Sequence, residues 1–240
     1  MIFQGPNLTS GHRRTGSTLG SHGSIRRDCD PVLFQTAGQD SGVGAVLAAS
    51  MKSFYTQGML SFLSTELSGV VIIEMEPLQD DRGFFGRSFC QREFSEHGLQ
   101  FTPVQSSISF NVLRGTLRGL HYQAPPQAEA KLVRCTMGAA YDVAADVRPE
   151  SATFGKWVGL ELSATNRRSL FIPKGVAHGF QTLVDDTEIS YMMSEFYSHD
   201  SQRGIRWNDP IIGVDWPSPG AMVISKRDGD LPHLLAKEPP

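Results

Sequence analysis

The sequence predicts an all-β fold, a sandwich or barrel with a few short helices. Three observations carry this. From Gly69 onward, short runs rich in β-branched and aromatic residues recur at regular spacing, separated by Gly, Pro, Asn and Asp turn signals. Only one short stretch has helical character, and no heptad or solenoid repeat interrupts the pattern. Composition also changes near residue 60, so the β pattern belongs to the part of the chain that follows.

Residues 1–58 come first and differ in kind. They are rich in Gly, Ser, Thr and Gln with no sustained period, as in Gly11-His12-Arg13-Arg14-Thr15-Gly16-Ser17. Such segments carry too few apolar groups to offset the entropy of ordering them, and disorder is expected. Arg13, Arg14, Arg26 and Arg27 stand without any acidic residue before Asp28, which is faintly transit-peptide-like. The apolar patch Val43 to Ala49 is short and lacks a basic segment directly before it, which argues against a signal peptide. A third reading is a misplaced gene start, with the native protein beginning at Met59 or Met51. This one is favoured, because foldable sequence starts just after Met59. Residues 59–240 are then the single folded domain.

The elements follow in order. Val70-Val71-Ile72-Ile73 is a strand ended by Pro77 and the turn Asp80-Asp81. Phe84, Phe85 and Phe89 come next, and Arg92 to His97 forms a short helix closed by Gly98 at the C′ position. Lys131 to Thr136 turns at Gly138 into Ala139 to Val147. Lys156 to Leu162 turns through Ser163-Ala164-Thr165-Asn166 into Ser169 to Ile172. Pro173-Lys174-Gly175 leads into Ala177 to Leu183, and Asp185-Asp186 into Glu188 to Met193. After Tyr197 the period weakens around Trp207-Asn208-Asp209-Pro210 and Val214-Asp215-Trp216-Pro217, and 236–240 reads as a frayed end.

Composition narrows the function. The 240 residues are 40% hydrophobic and 20% charged with net charge -3, which gives no reason to expect nucleic acid or an anionic membrane as partner. No apolar run approaches the roughly 20 residues a bilayer span needs. Cys29, Cys90 and Cys135 are an odd set without C-x-x-C spacing, so zinc and thioredoxin-like readings fail. Reduced thiols in a cytoplasmic protein are expected.

The chemistry concentrates in Arg118-Gly119-Leu120-His121-Tyr122-Gln123 and in Lys131 on the next strand. Alternation places Lys131, Val133 and Cys135 on one face, so a small barrel lined this way gathers His121 and Lys131 in one cavity. A lone strand histidine is ordinarily a hydrogen-bonded core residue, but Arg118, Gln123 and Lys131 beside it are costly inside a barrel unless they bind something. A metal site is not expected: His121 is followed by Tyr122-Gln123-Ala124 and His178 stands alone, without the H-x-H and nearby Glu of metal-binding cupins. Tyr191 alternates with Ile189 and Met193, so it is either core packing or a phenol placed as proton donor. Tyr197 either stacks on a base or caps the sandwich.

From about residue 68 to 235 the chain resembles the dTDP-4-dehydrorhamnose 3,5-epimerase family. The blocks that carry the resemblance are Asp81-Arg82-Gly83-Phe84-Phe85, Arg118 to Gln123, Lys131-Leu132-Val133-Arg134, Asp142-Val143-Ala144, Thr153-Phe154-Gly155, Ile172-Pro173 to Phe180, Arg203 to Pro210 and Ser225-Lys226-Arg227-Asp228. The resemblance implies a cupin jelly roll, a homodimer, no metal or other cofactor, and epimerisation of a nucleotide-activated 4-keto-6-deoxyhexose at C3, C5 or both, for surface polysaccharide synthesis.

By position it makes His121 the general base, Asp228 its dyad partner, Tyr191 the proton donor and Lys131 the holder of the 4-oxygen. It assigns Arg82 and Arg118 to the diphosphate, His178 to the sugar or phosphate pocket, Tyr197 to the base and Gln105 to the nucleotide. Four changes, at five positions, depart from the family pattern: Arg87 stands for Glu, Ser106-Ser107 for Asp-Asn, Gln202 for Glu, and Arg227 for Lys. Arg87, Gln202 and Arg227 are nonetheless placed at the substrate. These departures suggest that the proton chemistry is kept while the nucleotide or deoxysugar differs. The alternatives are a metal-dependent cupin isomerase or oxygenase and a non-catalytic sugar-nucleotide binder. Along the chain, Gly69 to Met75 is the strand expected to pair with the partner's sheet.

Overall fold

The structure, a computed structural model, describes residues 59–235 apart from 219 and 221. The expected N-terminal extension, Cys29 and the frayed end at 236–240 lie outside the described residues. In chain order the described elements are β1 (Leu60–Ser64), β2 (Val71–Met75), β3 (Leu78–Asp80), β4 (Gly83–Phe85), α1 (Gln91–Glu96), β5 (Gln105–Asn111), β6 (Thr116–Gln123) and β7 (Lys131–Met137). Then come β8 (Ala139–Asp146), β9 (Trp157–Ser163), β10 (Ser169–Ile172), β11 (Val176–Thr182), β12 (Thr187–Met193), β13 (Gln202–Gly204), β14 (Val223–Ile224) and α2 (Lys226–Gly229). One six-stranded sheet runs β1-β2-β10-β7-β12-β5. A second runs β13-β6-β11-β8-β9, with β14 added parallel to β6. β3 and β4 form a separate hairpin. The other pairings in both large sheets are antiparallel, and non-consecutive neighbours cross between sheets, as a jelly roll requires.

The core explains the sequence pattern. Val133, Cys135, Leu170, Ile172 and Ile189 of the first sheet pack against Ala140, Ala144, Leu162, Val176 and Phe180 of the second. The outer faces are covered too. Phe94 and Phe101 close the first sheet over Ile73, Leu132 and Phe171, with edge-to-face ring contacts. Ile205, Ile212 and Trp216 close the second over Leu117, Val143 and Ala177. β11 is therefore buried at every residue and β8 at nearly every one, so neither shows the buried–exposed alternation of a half-covered strand.

The expected strands from Lys131 to Met193 are present with bounds shifted by a residue or so. The short helix is Gln91–Glu96, with His97 as C-cap and Gly98 at φ 76° beyond it, the left-handed turn expected of glycine there. Two expectations change. The strand containing Val71–Met75 is not a sheet edge, because β1 and β10 pair with it on either side; the edges of that sheet are β1 and β5. β5 itself went unread, because its Ser-rich Gln105–Asn111 sequence has weak strand propensity.

Candidate active site

The site forms where β6, on one sheet, faces β7 and β12 on the other. His121, Lys131, His178, Tyr191, Arg118, Arg227 and Asp228 line a cavity of about 340 Å³. An adjoining cavity of about 350 Å³ shares His121, Lys131 and Tyr191 and adds Gln105, Ser107, Tyr197 and Gln202. The two together make one cleft with a cationic end and a neutral, aromatic end.

A β-bulge builds the cationic end. On β11, His178 and Phe180 are two residues apart; their partners on β6, His121 and Arg118, are three apart. The extra residue in β6 breaks strict alternation, so Arg118 and His121 both face the cavity. Gly119, at φ 120°, sits in the bulge, where a Cβ would lie 2.6 Å from the Gly179 Cα. Glycine is required on both strands: a Cβ on Gly179 would lie 2.8 Å from the Arg118 carbonyl oxygen.

His121 Nε2 lies 2.9 Å from Asp228 Oδ1, and the other carboxylate oxygen accepts from the Gly119 N–H at 3.2 Å. Asp228 is held by α2, whose N-cap Ser225 accepts from the Asp228 N–H. Burial pushes the Asp228 carboxyl up, but the bond and charge of His121, the Gly119 N–H and nearby Arg227 outweigh it, and its pKa falls below the ordinary value. An ionised carboxylate only accepts, so His121 Nε2 must donate, leaving the Nδ1 lone pair for the substrate.

Tyr191 stands on β12, in the facing sheet. Burial drives its phenol far up, and Asp142 adds to this, against smaller opposite effects of Arg118 and a Ser109 hydrogen bond. The group is a neutral O–H at any physiological pH. Beside it is a second histidine–carboxylate pair: His178 Nε2 lies 2.6 Å from Asp142 Oδ1, both side chains buried, with the imidazole edge-on to the Tyr191 ring at 5.9 Å. Lys131 Nζ donates to the His121 carbonyl at 3.2 Å. Arg118 Nε donates to Asn111 Oδ1 at 2.8 Å, and buried Asn111 is itself fixed by the carbonyls of Ser109 and Thr187.

At the neutral end, Tyr197 OH donates to Gln202 Oε1 at 2.8 Å and the Tyr197 N–H to Gln105 Oε1 at 3.1 Å. Three expected residues thus support one another there. Ser107 lines the cleft, while Ser106 points away and donates to the Tyr191 carbonyl.

Arg82 and Arg87 are not brought to this cleft within one chain. Arg82 is 89% exposed and clasps Asp80 of its own hairpin. Arg87 pairs with Glu93 beside α1, in a separate depression of about 970 Å³. Sequence reasoning in turn gave no role to Asp142, Asn111 or Ser109. Asp142 stood in a noticed block, but only the β8–β11 register brings it to His178. Among the described residues, no three His, Cys, Asp or Glu side chains cluster as a metal site, and no helix is long and apolar enough to cross a membrane.

Known proteins share this sequence and fold. The sequence pattern described as dTDP-4-dehydrorhamnose 3,5-epimerase matches residues 64–236. The dTDP-4-dehydrorhamnose 3,5-epimerase of Escherichia coli K12 is 46% identical over 171 residues, 70% of this chain and 91% of that one. The crystal structure of the Bacillus anthracis dTDP-4-dehydrorhamnose 3,5-epimerase with TDP and PPi bound matches with TM-score 0.71 and 39% identity, over 73% of this chain and 100% of that one. The Legionella pneumophila dTDP-6-deoxy-D-glucose-3,5-epimerase, solved with dTDP-4-keto-L-rhamnose, matches with TM-score 0.70 and 37% identity, over 73% and 93%. A histidine–carboxylate pair facing a half-buried tyrosine across a jelly roll, in a chain so similar to these enzymes along the whole described fold, places it: the chain belongs to the dTDP-4-dehydrorhamnose 3,5-epimerase family.

Proposed function

We propose that this enzyme epimerises a nucleotide-activated 4-keto-6-deoxyhexose at C3, C5 or both, in the deoxysugar supply for surface polysaccharide, with dTDP as carrier. The observation that carries the reading is the placement of His121 and Tyr191 on facing sheets with Lys131 in the same cleft. His121 Nδ1 removes a proton from a carbon next to the C4 ketone. The C–H electron pair forms the carbon–carbon double bond, and the ketone oxygen becomes an enolate. Fixed positive charge at that oxygen is the largest help available, and Lys131 supplies it. Tyr191 delivers its proton to the opposite face of the carbon, the electron pair returns, and the ketone reforms. Asp228 steadies the imidazolium while it lasts.

Arg118 and Arg227 hold the diphosphate, where guanidinium geometry suits phosphate oxygens. Tyr197 stacks on the base, flanked by Gln105 and Gln202. The enzyme works as a homodimer in the cytoplasm, where Cys90 and Cys135 stay as free thiols. In a homodimer Arg82 serves the cleft of the other copy, which reconciles its expected role with its exposed position.

Proton NMR of the protein with dTDP-4-keto-6-deoxyglucose in D₂O tests the reading. The C3 and C5 proton signals should disappear, and the pattern of loss and inversion separates a double from a single epimerase. Tyr191→Phe should cut epimerisation by about 10²–10⁴-fold while His121-driven exchange continues without inversion. A folded wild-type protein that exchanges neither proton sinks the proposal. The expectation of altered base reading, resting on Ser106-Ser107 and Gln202, runs against dTDP as carrier, and calorimetric titration decides between the two: dTDP binding at least tenfold tighter than CDP, GDP and UDP ends the altered-base expectation.

A further inference from the structure

Glu129 has no part in the proton chemistry above, yet it lines the cleft and its Oε1 lies 3.2 Å from Lys131 Nζ. Both side chains are only 11% exposed, so water screens the pair far less than it would a surface pair. A carboxylate is out of place in a cleft that takes an anionic sugar nucleotide unless a cation needs it. Lys131 is such a cation. Its stem is flexible, and a lysine ammonium is a point charge with three rotatable donors rather than a fixed fork. Here the ammonium is fixed from two directions, by the His121 carbonyl at 3.2 Å and by Glu129 at 3.2 Å. At least one N–H then remains for a substrate oxygen. The His121 carbonyl belongs to the base itself, so the two anchors tie the position of the ammonium to that of the imidazole.

We infer that Glu129 is a positioning residue: it holds the Lys131 ammonium in the direction of the enolate oxygen. The inference rests on the epimerase reading. Its energetic sense is that a pre-aimed charge costs no reorganisation when the enolate forms, so the effect falls on the chemical step more than on binding. Glu129→Gln keeps the shape and removes the charge, Glu129→Asp keeps the charge, and Lys131→Ala removes the group being positioned.

Turnover and substrate-concentration dependence are measured for these variants with the 4-keto sugar nucleotide. Glu129→Gln is expected to lower kcat about tenfold with KM within about twofold, and Glu129→Asp to recover much of the loss. On a Lys131→Ala background, Glu129→Gln should have little further effect, because the two residues act as a unit. A wild-type kcat in Glu129→Gln overturns the inference, as does a loss confined to KM or one that persists in full without Lys131. An inactive wild-type enzyme instead overturns the epimerase reading, and the positioning claim is then judged without turnover. In ¹⁵N-lysine NMR, Lys131 should give an ammonium signal protected from solvent exchange that broadens in Glu129→Gln. No protected signal in the wild type, or an unchanged one in the variant, overturns the contact itself.

Discussion

Asp228 shows what a single residue in this site has to do. It lies 107 positions from His121 in the chain, yet its two oxygens take the imidazole Nε2 and the Gly119 N–H of the same strand. Asp228→Asn keeps the size but lets the amide donate, so His121 is pushed toward the wrong tautomer. The expected loss in kcat is about a hundredfold or more, with substrate binding largely kept; steady-state kinetics of the folded variant checks this. Asp146 makes a different kind of carboxylate. Burial pushes its pKa up, but Arg148, Ser151 and Thr153 together pull it well below the ordinary value. Asp146 and Asp228 are thus both depressed in the folded state. Their contribution to stability is fully present above about pH 4 and is lost as pH falls through their folded values. Asp146→Asn should destabilise by about 3 kcal/mol near neutrality, and the difference from wild type should shrink below pH 4 in urea titrations. A difference that stays constant down to pH 2 contradicts this. At this scale the sequence was readable where a motif is local: His121, Arg118 and Lys131 fall within fourteen residues. Asp142 was not, because its partner His178 comes from a strand whose register no local pattern reveals.

The strands explain both what was legible and what was hidden. From β7 to β12 each strand holds several apolar or β-branched residues and is bounded by turn residues, so the existence and order of these elements could be read directly. β5 has its polarity reversed: Gln105, Ser107, Ser109 and Asn111 face inward, and Ile108 and Phe110 face outward. A strand whose inner face lines a polar cleft loses the hydrophobic signal that identifies strands. The β6 bulge was hidden for a related reason, since strict alternation would send Arg118 and His121 to opposite faces. The close approach of Gly119 and Gly179 holds that bulge. Gly179→Ala should force β6 from β11, costing about 1–3 kcal/mol, and should separate the paired residues His121 and His178. Thermal unfolding and kcat are expected to fall together. A variant of unchanged melting temperature and full activity would show that the strands yield without disturbing the site.

At the scale of the whole fold, the described residues present two exposed apolar surfaces. β5 is an edge strand with an exposed outer face: Ile108 is 65% exposed, and Val112 and Leu113 continue the patch beyond the strand. The β3–β4 hairpin displays Phe85 at 75% exposure next to Arg82. A free edge and clustered apolar residues are liabilities in a monomer and are natural contact surfaces for a second copy. If the second copy covers β5 and its hairpin carries Arg82 to the neighbouring cleft, association and substrate binding are linked but separable. Ile108→Lys combined with Phe110→Lys should give a folded monomer in analytical ultracentrifugation, with unchanged far-ultraviolet circular dichroism and weakened substrate binding. Arg82→Ala should remain a dimer and raise KM about tenfold or more, the scale of one lost hydrogen bond to a charged group, about 1.5–3 kcal/mol. Mixing inactive His121→Ala with Arg82→Ala protein then separates the arrangements. In a mixed dimer the cleft of the Arg82→Ala copy keeps its own His121 and Lys131 and gains a native Arg82 from its partner if Arg82 crosses between copies, so activity at low substrate should rise. No recovery of activity on mixing, or a wild-type KM in Arg82→Ala, would leave Arg82 outside the cleft in the assembly as it is in the single chain.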